Sequence, residues 1–127
     1  MKIILLFIIA PFIMMVHTVK KTNGSVVIIK KDAKKLAEYY RQRALRGESV
    51  ASLAKLYSED PGSASNGGQY NNITKGMFAP AFEKVAFSLK PGEISEVFET
   101  EFGFHFIQLI SRKGDVLSLR HILITRD

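Results

Sequence analysis

The chain has 127 residues, of which 46% are apolar, none is cysteine, and the net charge is +6. That length and apolar content suit one small domain with its own core and exclude a disordered polypeptide. The lack of cysteine excludes a disulfide scaffold, thiolate zinc sites and cysteine nucleophiles.

Met1 and Lys2 precede an apolar run over residues 3–16, interrupted by Pro11. The run is short for a bilayer span and reads as a signal-like or anchor segment, 1–16. No small-x-small cleavage pattern follows, and the end of the run, Val16-His17-Thr18-Val19, also has strand character. Asn23-Gly24 signals a turn. Residues 25–29 form a β-branched run that is either a hairpin return or an extended lead into a helix.

Lys30, Lys31, Lys34, Lys35, Arg41, Arg43 and Arg46 cluster in the first third. Such a cluster can bind nucleic acid. Aromatic side chains do not interleave with it as stacking platforms, so it reads as a solvated helix face, and no nucleic-acid partner is expected. Asp32 can cap a helix over 32–45, where Ala33, Leu36, Ala37, Tyr40 and Ala44 recur at helical spacing. Arg46-Gly47 ends it. Ser49 can cap a second helix with the stripe Val50, Leu53, Ala54 and Tyr57.

Residues 58–82 begin with the turn formers Asp60-Pro61-Gly62 and run through Gly67-Gly68 towards Tyr70, Phe78 and Phe82. Gly and Asn at this density predict an ordered loop, and aromatics beside a carboxylate suggest a binding site. Pro80 can open a third helix, with Phe82, Val85, Ala86 and Leu89 on one face. Lys90-Pro91-Gly92 stops it. Strands follow at 94–99, 104–110 and 117–125. In the second, His105, Ile107 and Leu109 face one way and Phe104, Phe106 and Gln108 the other. The order predicts an α+β domain on an antiparallel sheet.

Several ordered motifs carry a resemblance. They are Tyr57-Ser58-Glu59-Asp60-Pro61-Gly62-Ser63-Ala64, Gly67-Gly68, Lys75-Gly76-Met77-Phe78, residues 86–95 and Thr100-Glu101-Phe102-Gly103-Phe104-His105. Together they resemble the parvulin-type peptidyl-prolyl cis/trans isomerases, in their bacterial periplasmic SurA- and PpiC-like form. The resemblance implies a parvulin-like (FKBP-like) four-stranded antiparallel sheet flanked by helices. It implies isomerisation of the bond before proline, acting on unfolded or exported polypeptides in the periplasm or cell envelope, with no metal and no cofactor. A catalytically weak substrate-binding chaperone module is the alternative.

The family's two histidines fall at His17 and His105, its carboxylate or thiol position at Asp60, and its threonine at Thr100. The proline-ring pocket falls on Tyr70, Phe78 and Phe82. The family usually continues Gly-Gly with Asp-Leu-Gly, whereas here Gln69-Tyr70-Asn71 follows Gly68. Arg120-His121-Ile122-Leu123-Ile124 resembles the family's opening strand better than the His17 segment does. The expected organisation is therefore an apolar segment 1–16, an isomerase domain 17–112, and a linker with a possible first strand of a second module at 113–127. On that organisation, removing residues 117–127 leaves the site assembled. In a rival arrangement this last strand takes the sheet position of the His17 segment, and His121 becomes the second histidine.

Overall fold

The computed structural model describes residues 18–126. The chain divides into two units, Met1–Asp32 and Ala33–Asp127. In the first, β1 (Thr18–Thr22) pairs antiparallel with β2 (Ser25–Ile29), with Thr22 opposite Ser25. Asn23 and Gly24 both take positive φ, 50° and 79°. This left-handed pair matches the twist of a two-residue hairpin, so residues 25–29 are the hairpin return. His17 and the apolar residues 1–16 lie outside the described residues.

The second unit contains α1 (Ala33–Leu45), α2 (Val50–Tyr57), a short 3-10 turn (Ala64–Asn66), β3 (Gln69–Ile73), α3 (Pro80–Ser88), β4 (Phe98–Thr100), β5 (Gly103–Lys113) and β6 (Val116–Thr125). The four strands form one antiparallel sheet in the order β3-β6-β5-β4. Alternation along β5 and β6 sends side chains to two cores. Phe106, Ile122 and Ile124 pack with Ala37, Tyr40, Leu53 and Ala54 of α1 and α2. Ile107, Leu109, Leu117 and Leu119 pack with Phe82, Ala86 and Leu89 from α3 and its end. Helices thus cover both faces, and the alternation read for residues 104–109 holds.

Local signals account for the helices. Alanines at 33, 37 and 44 let α1 lie close on the sheet. The Ser49 hydroxyl accepts the Ser52 N–H at 3.2 Å and caps α2. Pro80 occupies the first turn of α3. The Glu83 carboxylate reaches back to accept the N–H groups of Gly76 and Phe78 at 2.8 and 2.9 Å, which braces the loop carrying Phe78.

The strand expected at 94–99 reduces to an isolated bridge from Ile94 to Gln108 and the short β4. Two larger expectations change. The ordered loop of residues 58–82 contains a strand, β3, at the sheet edge. Asn71 and Asn72 at its centre are poor strand formers, although Tyr70 and Ile73 favour the state. Pairing with β6 imposes the conformation, at the cost of a register shift between Tyr70 and Ile73 where Asn72 takes φ 56°. The second change concerns residues 113–127. Val116–Thr125 is an inner strand of this sheet, bonded to β5 on one side and β3 on the other. Residues 58–68 extend that second side. Leu123 donates its N–H to Ser58 Oγ (3.2 Å) and accepts the Glu59 N–H (2.7 Å), and Glu59 Oε1 accepts the Thr125 N–H (2.8 Å). Gly68, at φ 73°, accepts the His121 N–H at 2.9 Å; a Cβ there would sit 2.3 Å from the His121 carbonyl oxygen. Removing residues 117–127 therefore takes out the middle of the sheet. The segment is not a free linker here.

Candidate active site

Asp60 opens a turn in which its carbonyl accepts the Ala64 N–H at 2.9 Å. The turn folds its carboxylate against β6. Oδ2 accepts three hydrogen bonds, from Ser63 Oγ (2.5 Å), His121 Nε2 (2.8 Å) and the Tyr70 hydroxyl (2.9 Å). Oδ1 accepts the Gly62 N–H at 3.4 Å.

His121 and His105 lie on the same face of β6 and β5. Their rings stack with centroids 5.6 Å apart and 18° between planes, and their Nδ1 atoms are 3.4 Å apart. Behind His105, its Nε2 meets Thr100 Oγ1 at 2.6 Å, across the β4–β5 hairpin. Thr100 Oγ1 also accepts the Phe102 N–H. One set of tautomers gives every contact a donor and an acceptor. Thr100 donates to His105 Nε2, His105 Nδ1–H donates to His121 Nδ1, and His121 Nε2–H donates to Asp60. The chain is directed from Thr100 to the carboxylate.

His121, Thr100 and His105 are all buried. The His121 hydrogen bond, with those of Ser63 and Tyr70, holds the Asp60 carboxyl well below the usual carboxylate range against the opposing effect of burial. Burial, helped by the neighbouring His121, pushes His105 down to about 4. Tyr70 is pushed up, by burial first and then by the anion it donates to.

Aromatic rings surround this chain. Phe82 is buried and central, with ring centroids 5.0 Å from Phe78, 5.3 Å from His121, 5.8 Å from His105 and 6.0 Å from Phe98. Phe98 stacks on His105 at 5.2 Å, and Tyr70 meets Phe78 edge-on at 5.1 Å. Tyr70, Phe78 and Phe98 are half-buried, so the cluster has a face open to solvent. A separate cavity of about 370 Å³, between α1 and the segment before β4, is lined by Tyr39, Arg41, Glu96 and Val97 among others. It shares no residue with the site.

The structure thus joins Asp60, Thr100 and His105 in one hydrogen-bonded chain and groups Tyr70, Phe78 and Phe82 beside it. His17 lies outside the described residues, and the histidine that links Asp60 to His105 is His121, as in the rival arrangement. Ser63 and Phe98 escaped sequence reasoning. Ser63 looks like one more turn residue. Phe98 could have been found by alternation, because it sits two residues before Thr100 and opposite His105. Together these groups define an α+β domain that sets a partly exposed cluster of aromatic rings beside a fixed, hydrogen-bonded carboxylate.

The family model described as rotamase, PPIC-type PPIase domain, matches residues 15–111. Foldase protein PrsA 4 of Bacillus cereus is 37% identical over 97 residues, covering 76% of this chain and 34% of that protein. Chaperone SurA of Nitrosococcus oceani is 44% identical over 75 residues, covering 59% of this chain and 18% of that protein. Among solved structures, peptidylprolyl isomerase PrsA from Bacillus cereus superposes with a TM-score of 0.52 at 28% identity, covering 78% of this chain and 33% of that one. PrsA from Bacillus anthracis gives 0.54 at 23% identity, covering 78% and 39%, which speaks to the fold alone. The chain belongs to the PPIC-type, or parvulin, family of peptidyl-prolyl isomerase domains. The chain spans about a third or less of the length of these two relatives, and the family-model match ends at residue 111, before β6, the strand that carries His121.

Proposed function

We propose that this chain isomerises X–Pro bonds in unfolded polypeptides, with Asp60, His121, His105 and Thr100 as its polar machinery and Tyr70, Phe78, Phe82 and Phe98 as its proline pocket. The observation that carries this reading is the continuous chain from Thr100 to Asp60 lying against the aromatic cluster. The reaction needs little chemistry. Its barrier of about 18–20 kcal/mol is amide resonance, and the two isomers are nearly equal in energy. A proline ring held among aromatic rings leaves the preceding carbonyl free to turn. Planarity places negative charge on that carbonyl oxygen, and a fixed anion nearby disfavours it. Twisting removes that charge, so the Asp60 carboxylate acts more against the ground state than against the twisted state. The histidines keep the carboxylate ionised and placed; no proton needs to move.

A protease-coupled assay on short proline peptides tests this directly. The expected result is a rate above background, and a folded sample with none overturns the reading. Tyr70 favours a second reading, a module that holds unfolded chains without isomerising them, because its ring stands where the family has a small aliphatic wall. Peptide binding without exchange between isomers, seen by NMR, selects that reading.

The foldase and chaperone names of its relatives support exported, unfolded proteins as substrates. The apolar residues 3–16 and the lack of cysteine support a periplasmic or envelope location, with membrane association through residues 1–16. No helix among the described residues is long and apolar enough to cross a membrane. Cell fractionation checks the location: recovery in the cytosol with an intact N-terminus contradicts it.

A further inference from the structure

Tyr70 ties the pocket to the carboxylate. Its ring lies 5.1 Å from Phe78 and 5.6 Å from His121, while its hydroxyl donates to Asp60 Oδ2. The place of that hydroxyl is built from both sides. Tyr70 is held in β3 opposite Leu119 of the inner strand. Gly62 leaves the space that the hydroxyl fills, since a Cβ at residue 62 would lie 2.5 Å from Tyr70 Oη. A tyrosine hydroxyl ends a rigid ring and cannot give way without moving the pocket wall.

The two other donors on Oδ2 also contact each other. Ser63 lies in the same turn as Asp60, and its hydroxyl also contacts His121 Nε2 at 3.1 Å. His121 is held by β6 and by its stacked contact with His105. Oδ1 has one long contact to Gly62. A partial turn of the carboxylate about its Cβ–Cγ bond would carry Oδ2 away from His121, and Tyr70 is the donor from outside the turn and outside the histidine chain that opposes this.

We propose that Tyr70 is a positioning residue for the isomerase reaction, its hydroxyl locking the Asp60 carboxylate onto His121 while its ring serves as pocket wall. The role rests on the isomerase reading. It sets apart the effects of two variants. Tyr70→Phe keeps the wall and frees the carboxylate, so kcat should fall about tenfold, the scale of one hydrogen bond to an ion, with KM within roughly twofold. Tyr70→Leu removes both and should change KM as well.

The groups facing Asp60 are His121 from β6, Tyr70 from β3 and the uncharged Ser63 from the turn, with His105 of β5 behind His121. Losing one of these donors raises the carboxyl pKa. The test follows the Asp60 carboxyl carbon by NMR from pH 7 down to acid unfolding, alongside kcat and KM, in the full chain. In the parent protein that resonance should stay flat. In Tyr70→Phe and in Gly62→Ala, which keeps the hydroxyl but displaces it, it should start to titrate at higher pH. Titration of Asp60 in both variants that coincides with the parent's overturns the proposal, as does a Tyr70→Phe loss confined to KM. A parent protein without isomerase activity sinks the isomerase reading instead, and the carboxyl titration still decides whether Tyr70 locks Asp60.

Discussion

Two segments of this chain place a histidine among β-branched or aliphatic residues, and they have opposite fates. Val16-His17-Thr18-Val19 lies inside the family match, and its described part, from Thr18, forms a two-stranded hairpin with Ser25–Ile29. Arg120-His121-Ile122-Leu123 lies outside that match, yet it runs up the middle of the four-stranded sheet and supplies the histidine that bonds Asp60. The difference teaches that a site residue is defined by its place in the sheet rather than by its place in the chain. β6 qualifies for the inner position by its length and by two apolar faces. Leu117 and Leu119 enter one core and Ile122 and Ile124 the other.

The most severe way to break the comparison is to delete residues 116–127. Five buried aliphatic side chains, Leu117, Leu119, Ile122, Leu123 and Ile124, and the hydrogen bonds of an inner strand go with them. Each such side chain contributes about 2–4 kcal/mol, against a total stability of about 5–15 kcal/mol for a domain. We expect loss of the cooperative thermal transition, read by circular dichroism. A truncated protein that still melts cooperatively and isomerises peptides removes β6 from the account.

A milder break is Phe82→Ala. Phe82 is buried and touches both histidine rings, so the change should cost about 3–5 kcal/mol of stability and most of the peptide rate. Denaturant titration alongside the rate assay checks both, and a stable variant with undiminished rate contradicts the pocket.

Acid sharpens the comparison without mutation. His105 has a pKa of about 4 in the fold against its ordinary 6.5. Between those values the unfolded chain takes up a proton that the folded one refuses. The stability is complete above about pH 6.5 and falls as the pH drops towards 4, by up to about 3 kcal/mol. Asp60, whose pKa is depressed, withdraws its own contribution at lower pH, as its carboxyl protonates. Urea midpoints between pH 7 and 4 measure this, and a His105→Asn variant should flatten the upper part of the curve.

The parts legible in the sequence were those that local physics decides. Caps and helical spacing located α1, α2 and α3, the Asn-Gly turn left the hairpin as one of two readings, and strict alternation located β5 with its two faces. β3 was illegible because its strand state comes from pairing with β6, whose residues lie more than forty positions later in the chain. Asp60, Thr100 and His105 could be read because the family motifs keep them in chain order. His121 could be read only as an alternative, since chain order favoured His17; its place beside Asp60 comes from strand pairing across the sheet, which no local signal announces. Tyr70 was legible as a wall but not as a donor, because its hydroxyl needs the space that Gly62 leaves.

The most direct measurement of which histidine serves the site compares His121→Asn with His17→Asn in the same proline-peptide assay. Loss of the hydrogen bond to an ionised Asp60 predicts a fall of about tenfold or more for His121→Asn. The His17→Asn protein should keep a rate close to that of the parent. The reverse pattern, with His17→Asn inactive and His121→Asn active, would contradict the assignment of the inner strand's histidine to the site.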